Sequence, residues 1–245
     1  MRSFTDQRWL HIVDVWRSGQ FQLDQVMRYS RYLREDPELM RRQTTLQHSY
    51  VVTLMGSLLC QLLRPHGAQI NEGLLMTSLL VHDHGEGELA QERGGVDVIY
   101  INKSESTDLD EYQAFVRRFR QLDPRAFDHF HRAYLLDFAR NGKLNTLLPA
   151  DARQIMLELN DQEHHTILGF YAVERWDYML HAVEHYVTFK HGKLLVQVMR
   201  NQVPHLDLIA QGLPGFKEEI WTPELQQWCT ELLAEYEGQY IERKG

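Results

Sequence analysis

The stretch that most constrains this chain is Leu74-Leu75-Met76-Thr77-Ser78-Leu79-Leu80-Val81-His82-Asp83-His84-Gly85-Glu86-Gly87-Glu88. An apolar run of helical length ends in three metal-capable side chains, followed by two glycines and two glutamates. A helix buried by its apolar residues has no packing need for a His-Asp pair at its exit. Taking a charged Asp out of water is costly unless it gains a partner, and a metal ion is one of the few partners that offsets the cost. A solvated loop that opens on polar residues is the competing reading of the same letters. The rest of the chain decides between them.

Helical periodicity dominates, without repeats or low-complexity segments. Residues 5–17 place Trp9, Ile12, Val13 and Trp16 at three- and four-residue spacing, an amphipathic helix. Residues 21–34 predict a second, stopped by Asp36-Pro37, because a residue before proline avoids helical backbone. A helix over 45–64 shows an apolar row of Val51, Val52, Met55, Leu58, Leu59 and Leu62. Counting back by turns from that row reaches His48, on the side of the buried face. Arg64-Pro65-His66-Gly67 ends it with both standard stop residues. Residues 71–84 form the helix that exits through His82 and Asp83. Segment 85–110 reads as polar and glycine-bearing, with one short β-like run at 96–101 that fits a hairpin arm or an ordered loop. Further helices are expected over 111–122, 124–139 (capped by Asn141-Gly142), 150–159 and 162–190, the last ended by His191-Gly192. A helix at 193–202, a Pro/Gly-interrupted stretch at 204–214 and a final helix over 223–240, with Thr222 as N-cap and Pro at its first position, complete the chain. The expectation is all-α, with strand content near zero and one domain over 1–245.

Composition bounds the function classes. Hydrophobic residues make up 43% and charged residues 24% of the 245, the balance of an ordinary globular protein. A formal net charge of -8 argues against a broad nucleic-acid surface or a polybasic membrane contact. No apolar stretch approaches the ~18 residues of a membrane span, and MRSFTDQRWLHIVDVW does not read as a signal peptide. Cys60 and Cys229 fit neither a CxxC site nor a disulfide framework. Together these favour a cytoplasmic protein with no membrane partner.

His48, then His82-Asp83, then an acid on a later long helix resembles the HD-domain superfamily of metal-dependent phosphohydrolases, most closely its bacterial 5′-deoxynucleotidase-like branch. The pieces that carry the resemblance are Leu46-Gln47-His48-Ser49-Tyr50-Val51-Val52, Leu79-Leu80-Val81-His82-Asp83-His84-Gly85-Glu86 and Ala172-Val173-Glu174-Arg175-Trp176-Asp177-Tyr178-Met179-Leu180-His181-Ala182. It covers about residues 28–190, leaving helix 5–17 and the helices of 193–240 as additions to an HD-like multi-helix bundle. The resemblance implies one divalent metal ion (Mn, Co, Mg, Fe or Zn) held by His48, His82, Asp83 and Glu174, with Asp177 as the fallback fourth ligand. Two imidazoles and two carboxylates form a mixed N/O site suited to such ions, and a metal-activated water is the nucleophile it serves. Adjacent helical residues diverge by roughly 100°, so His82 and Asp83 can share an ion only if one reaches around, which their place at a helix end just before Gly85 allows.

Two departures from the family pattern stand out. Glu174 occupies the position of the family's Asp, and Gln91, which cannot exchange a proton, occupies that of a second acid, for which Glu88 or Glu92 would have to substitute. Glu86 matches the HDxxE glutamate that orients water or assists the leaving group. Arg41 and Arg42 are the candidate phosphate grips, guanidinium matching phosphate oxygens bidentately; a surface pair is the plainer alternative. His84 fits a supporting or exposed role better than a ligand, Arg175 an ion pair with Glu174, and Phe170, Tyr171, Trp176 and Tyr178 core packing. The plainer alternatives are a satisfied core histidine for His48 and a solvated stripe for Glu174, Asp177, His181 and Glu184.

Three functions follow. The first is a phosphomonoesterase on nucleoside 5′-monophosphates or similar small phosphates, whose partner is a small phosphorylated molecule. The second is a degenerate HD module that binds metal or ligand without turnover. The third, a di-iron oxygenase, would need extra histidines from among His129, His131, His164 and His165. The guanosine-tetraphosphate hydrolase branch shows HDxxED, against which Gly87 counts. The outer helices could close a lid or pair two copies into a homodimer.

Overall fold

The computed structural model describes residues 6–28, 43–92, 105–139, 146–190 and 192–242. Helix α1 (Gln7–Arg17) starts at Asp6, whose carboxylate accepts from the Arg8 amide at 3.0 Å. A π-turn (Ser18–Gln22) and a short 3-10 turn (Leu23–Gln25) follow. The backbone then extends, with the Thr45 amide donating to Val26 O and the Arg28 amide to Gln43 O, each at 2.9 Å. Helix α2 (Thr45–Leu63) opens on a reciprocal capping box between Thr44 and Gln47, which satisfies two otherwise orphaned amides. Asn71 caps α3 (Glu72–Val81), and α4 (His84–Glu92) follows after a two-residue break. Next come α5 (Glu105–Phe119), α6 (Pro124–Ala139), α7 (Ala150–Gln162) and α8 (His164–Phe189). The chain closes with α9 (Gly192–Gly212), the single turn α10 (Phe216–Glu219) and α11 (Pro223–Glu242), for which the Thr222 hydroxyl accepts from the Leu225 amide.

Helix α8, 26 residues long, is the axis of the bundle, and α2, α3, α6, α7 and α9 all pack against it. The core joins Val52, Leu59 and Leu63 of α2, Leu75 and Leu79 of α3, and Phe170 and Val173 of α8. On the α5–α6 side Phe115 stacks on Tyr134 at a centroid distance of 3.9 Å. Each such side chain contributes about 1.5–3 kcal/mol by leaving water. The all-α expectation holds: among the described residues there is no strand, only the single bridge between Met27 and Thr44. Cys60 and Cys229 are both buried free thiols, pushed up to about 11 by burial. No helix among the described residues is long and apolar enough to cross a membrane.

Several elements differ from the sequence expectation. The helix expected over 21–34 is absent from its described part, 21–28. Leu23 and Val26 are buried, and the backbone of Val26 and Arg28 is spent on pairing with 43–45 instead of on a helical ladder. The apolar row of α2 is rotated: Val52 and Leu59 are buried, but Leu58 is 49% exposed, and Thr45, Ser49, Gly56 and Leu63 complete the inner face. The start of segment 85–110 differs too: residues 85–92 are helical, and their glycines serve close packing. A Cβ on Gly85 would collide with the Glu111 carbonyl and the Tyr134 hydroxyl, and one on Gly87 would stand 2.8 Å from Leu23 Cδ2. Helix α9 continues past Pro204 to Gly212, where the sequence predicts an interruption. Buried Leu206 and Ile209 hold its second half against the core. The amphipathic helix at the N-terminus exists, but its apolar residues face outward, with Trp9 at 55% and Trp16 at 58% exposure. The 96–101 run, Asn141-Gly142, His191 and the pair Arg41–Arg42 lie outside the described residues.

Candidate metal centre

Three helices bring the predicted donors together. His48 occupies the first turn of α2, on the inner face between Thr45 and Val52, and has no solvent exposure. His82 still belongs to the α3 ladder, its amide donating to Ser78 O at 2.9 Å, whereas the Asp83 carbonyl already accepts from Gly87 in α4. The pair therefore sits at the corner between two helices. This corner removes the obstacle that adjacent helical residues diverge, and His82 Nε2 lies 3.2 Å from Asp83 Oδ2. Glu174, mid-way along α8, places Oε1 3.0 Å from His48 Nε2 and 3.3 Å from His82 Nε2. The remaining edge, His48 Nε2 to Asp83 Oδ2, is 4.0 Å.

The outward nitrogens are held by the protein. His48 Nδ1 donates to Asp177 Oδ2 at 2.9 Å, and His82 Nδ1 donates to the Leu79 carbonyl at 3.0 Å. With the ring proton on Nδ1, each Nε2 turns a lone pair inward, toward carboxylate oxygens. Such a face-off is stable only if each ring takes a second proton or a cation lies among the four atoms. Asp177 is thereby placed behind His48 as its orienting carboxylate, the arrangement that fixes the tautomer of metal-binding histidines.

The buried group His48, His82 and Asp83 fits a divalent ion, with Glu174 facing both rings. Two donors bonded to one ion at about 2.1 Å stand roughly 3.0–3.4 Å apart at octahedral or tetrahedral angles, which is the range of three of the four distances. His82 Nε2 and Asp83 Oδ2 are buried without a hydrogen-bond partner, and such orphans carry a penalty unless something else satisfies them. His48, His82 and Asp83 together could hold a metal ion.

The electrostatics are those of a concentrated charge cluster. Burial and Arg28 push His48 down, but Glu174 and Asp177 prevail and raise it above its ordinary value. Burial likewise opposes the charged form of His82, and Asp83 with Glu174 raise it well above normal. For the carboxylates burial works upward and is outweighed: His82, His48 and Arg28 hold Asp83 far below the usual range, and His48 with His82 do the same for Glu174.

The other candidates separate. Glu86 stands one turn beyond Asp83 on α4, half-buried. His84 packs on Phe119 at 5.3 Å, where burial pushes it down to about 4, and is not among the converging donors. Glu88 is bound by Arg118 at 3.0 and 2.9 Å and by the Ser18 hydroxyl, so it is committed to structure and does not replace the missing acid at 91. The side chains of Gln91 and Glu92 lie outside the described residues. Arg175 does not pair with Glu174; it donates to Gln202 Oε1 at 2.8 Å and to the Tyr171 hydroxyl at 3.1 Å, toward α9. His131 pairs with the Tyr112 hydroxyl, His129 with Thr77 and His165 with the Gln69 amide, so none of these three histidines joins the centre. Phe170 supports the site with its ring 5.5 Å from His82.

One residue escaped the sequence reading. Arg28 Nη1 lies 3.7 Å from Asp83 Oδ2, and the guanidinium sits 5.0 Å over the Tyr178 ring. No local motif marks it. The extended pairing of 26–28 with 43–45 carries it to the cluster, and that pairing was masked by the helical spacing of 21–34.

No family model, curated protein or solved structure matches this chain.

Proposed function

We propose that this chain is a metal-dependent phosphohydrolase of the HD-domain type, a phosphomonoesterase on nucleoside 5′-monophosphates or similar small phosphates. The observation that carries the reading is the convergence of His48 Nε2, His82 Nε2, Asp83 Oδ2 and Glu174 Oε1 from three helices, with both histidines oriented from behind. These four residues would hold one divalent ion of the Mn, Co, Mg, Fe or Zn group. Bound there, the ion supplies Lewis acidity toward a phosphoryl oxygen and a water of lowered pKa.

The chain's own groups do the rest. Arg28, already beside Asp83, is the cation that grips the phosphate; its planar fork matches two phosphate oxygens and its position over Tyr178 limits its freedom. This assigns to Arg28 the work expected of Arg41 and Arg42. Glu86, one turn past Asp83, is the group that moves a proton between water and leaving oxygen. Asp177 keeps His48 in the Nδ1–H tautomer. A second reading, a module that holds metal without turnover, draws on one observation: Glu88, one of the two acids that would substitute for position 91, is locked to Arg118.

The test is release of inorganic phosphate from a panel of nucleoside monophosphates with Mn²⁺ or Co²⁺, with Asp83→Ala as control. Metal-dependent release abolished by Asp83→Ala supports the phosphohydrolase. Metal uptake without release from any ester supports the binding module. Uptake and release both unaffected by Asp83→Ala would remove the site assignment altogether.

A further inference from the structure

The same face of α8 continues past Glu174 and Asp177 to His181, Glu184 and His185. We propose that His181, Glu184 and His185 form a second divalent-cation site, of the zinc class, separate from the centre built on His48. It does not depend on the phosphohydrolase reading.

The spacing i, i+3, i+4 places all three side chains on one helical face. Two histidines four apart is the spacing by which a single helix presents a zinc-binding pair; the carboxylate of Glu184, beside them, is placed to add a third ligand. Here the pair is built. His181 and His185 are both buried, at 7% and 0% exposure, with ring centroids 4.1 Å apart and planes tilted by 48°. Their donor atoms and a Glu184 carboxylate oxygen lie within 4.8 Å of one another. His185 Nδ1 donates to the His181 carbonyl at 2.7 Å, which orients its ring. Donors on one ion at about 2.1 Å can stand at most about 4.2 Å apart. At tetrahedral or octahedral angles they stand roughly 3.0–3.4 Å apart, and the exposed Glu184 arm is the member that swings to close the set.

Two imidazoles and one carboxylate leave at least one position open, and the set favours zinc and its neighbours over magnesium or calcium. Glu184 lies at the surface and provides the entry path. An ion held here staples the turn 181–185, immediately C-terminal to the turn that carries Asp177. Cation binding thus stiffens the helix that positions the first centre.

The experiment uses full-length Asp83→Ala protein, in which the first centre is disabled, equilibrated with Zn²⁺ alone and desalted before metal analysis and thermal unfolding. One zinc per chain is expected, with a Tm raised by zinc. Glu184→Ala, a surface change that does not endanger the fold, should weaken that zinc at least tenfold, and His181→Gln with His185→Gln should abolish it. The wild type should bind one equivalent more than Asp83→Ala, which tests the first centre independently. No zinc uptake by Asp83→Ala, or uptake unchanged by Glu184→Ala, would overturn the second site.

Discussion

His48 makes two demands on α8: a carboxylate behind it at Asp177 and one in front at Glu174. The two acids differ by one helical turn and by one methylene, and each meets a different ring nitrogen of His48. Replacing Asp177 with Asn keeps a hydrogen-bonding group but removes the charge that orients the ring; a 10–100-fold loss of metal affinity is expected, the usual cost of losing such a partner. Glu174→Gln should cost more, because it removes a converging oxygen. Isothermal titration with Mn²⁺ measures both, and equal losses would contradict the division of labour. The pH dependence has a defined sign. In metal-free protein the raised His48 and His82 stabilise the fold fully below about pH 6.5, the ordinary value of an unfolded histidine, and that stability is lost as pH rises through their folded values. Asp83 and Glu174, being lowered, make their contribution above the carboxylate range and do not oppose the trend. Metal binds the deprotonated rings, so its affinity climbs over the same interval. Urea unfolding between pH 6 and 9, with and without Mn²⁺, should show the two curves diverging.

At the scale of elements, the glycines and the proline carry the clearest lessons. Gly85→Ala pushes a methyl group into the Glu111 backbone and the Tyr134 hydroxyl. Overpacking of this kind costs about 1–3 kcal/mol, and here it also displaces the corner that holds His82 and Asp83. Calorimetry should show a lowered Tm together with weakened metal binding. Pro204 lies exposed inside α9, where it deletes a helical hydrogen bond; Pro204→Ala should stabilise, by up to about 3 kcal/mol. These elements also show where the sequence was legible. His48 and the His82-Asp83 exit were visible because a polar residue on an apolar helical face is an anomaly at short range. The helix at 84–92 was hidden, since glycine reads as a breaker unless one knows that Glu111, Tyr134 and Leu23 press against it. Arg28 was hidden for a related reason: its position depends on pairing with 43–45, which leaves no periodic trace. The interrupted helix expected at 204 was a local rule overridden by the packing of Leu206 and Ile209.

At the scale of the molecule, α8 organises everything: it fills the core between α2, α3 and α9 and carries Glu174, Asp177, His181 and His185 along its length. The reading of Glu174, Asp177, His181 and Glu184 as a solvated stripe fails for all but Glu184, the one exposed member. Helix α1 is an appendage held by Arg118, which bridges Asp14 of α1 and Glu88 of α4. The first centre needs only the contacts among α2, the α3–α4 corner and α8. The most direct test of the account is anomalous diffraction from a crystal of the protein soaked in Mn²⁺. A peak is predicted among His48, His82, Asp83 and Glu174, at bonding distance from both Nε2 atoms and with Asp177 beyond reach. Density for the four side chains as described, with no anomalous peak among them at saturating Mn²⁺, would contradict it.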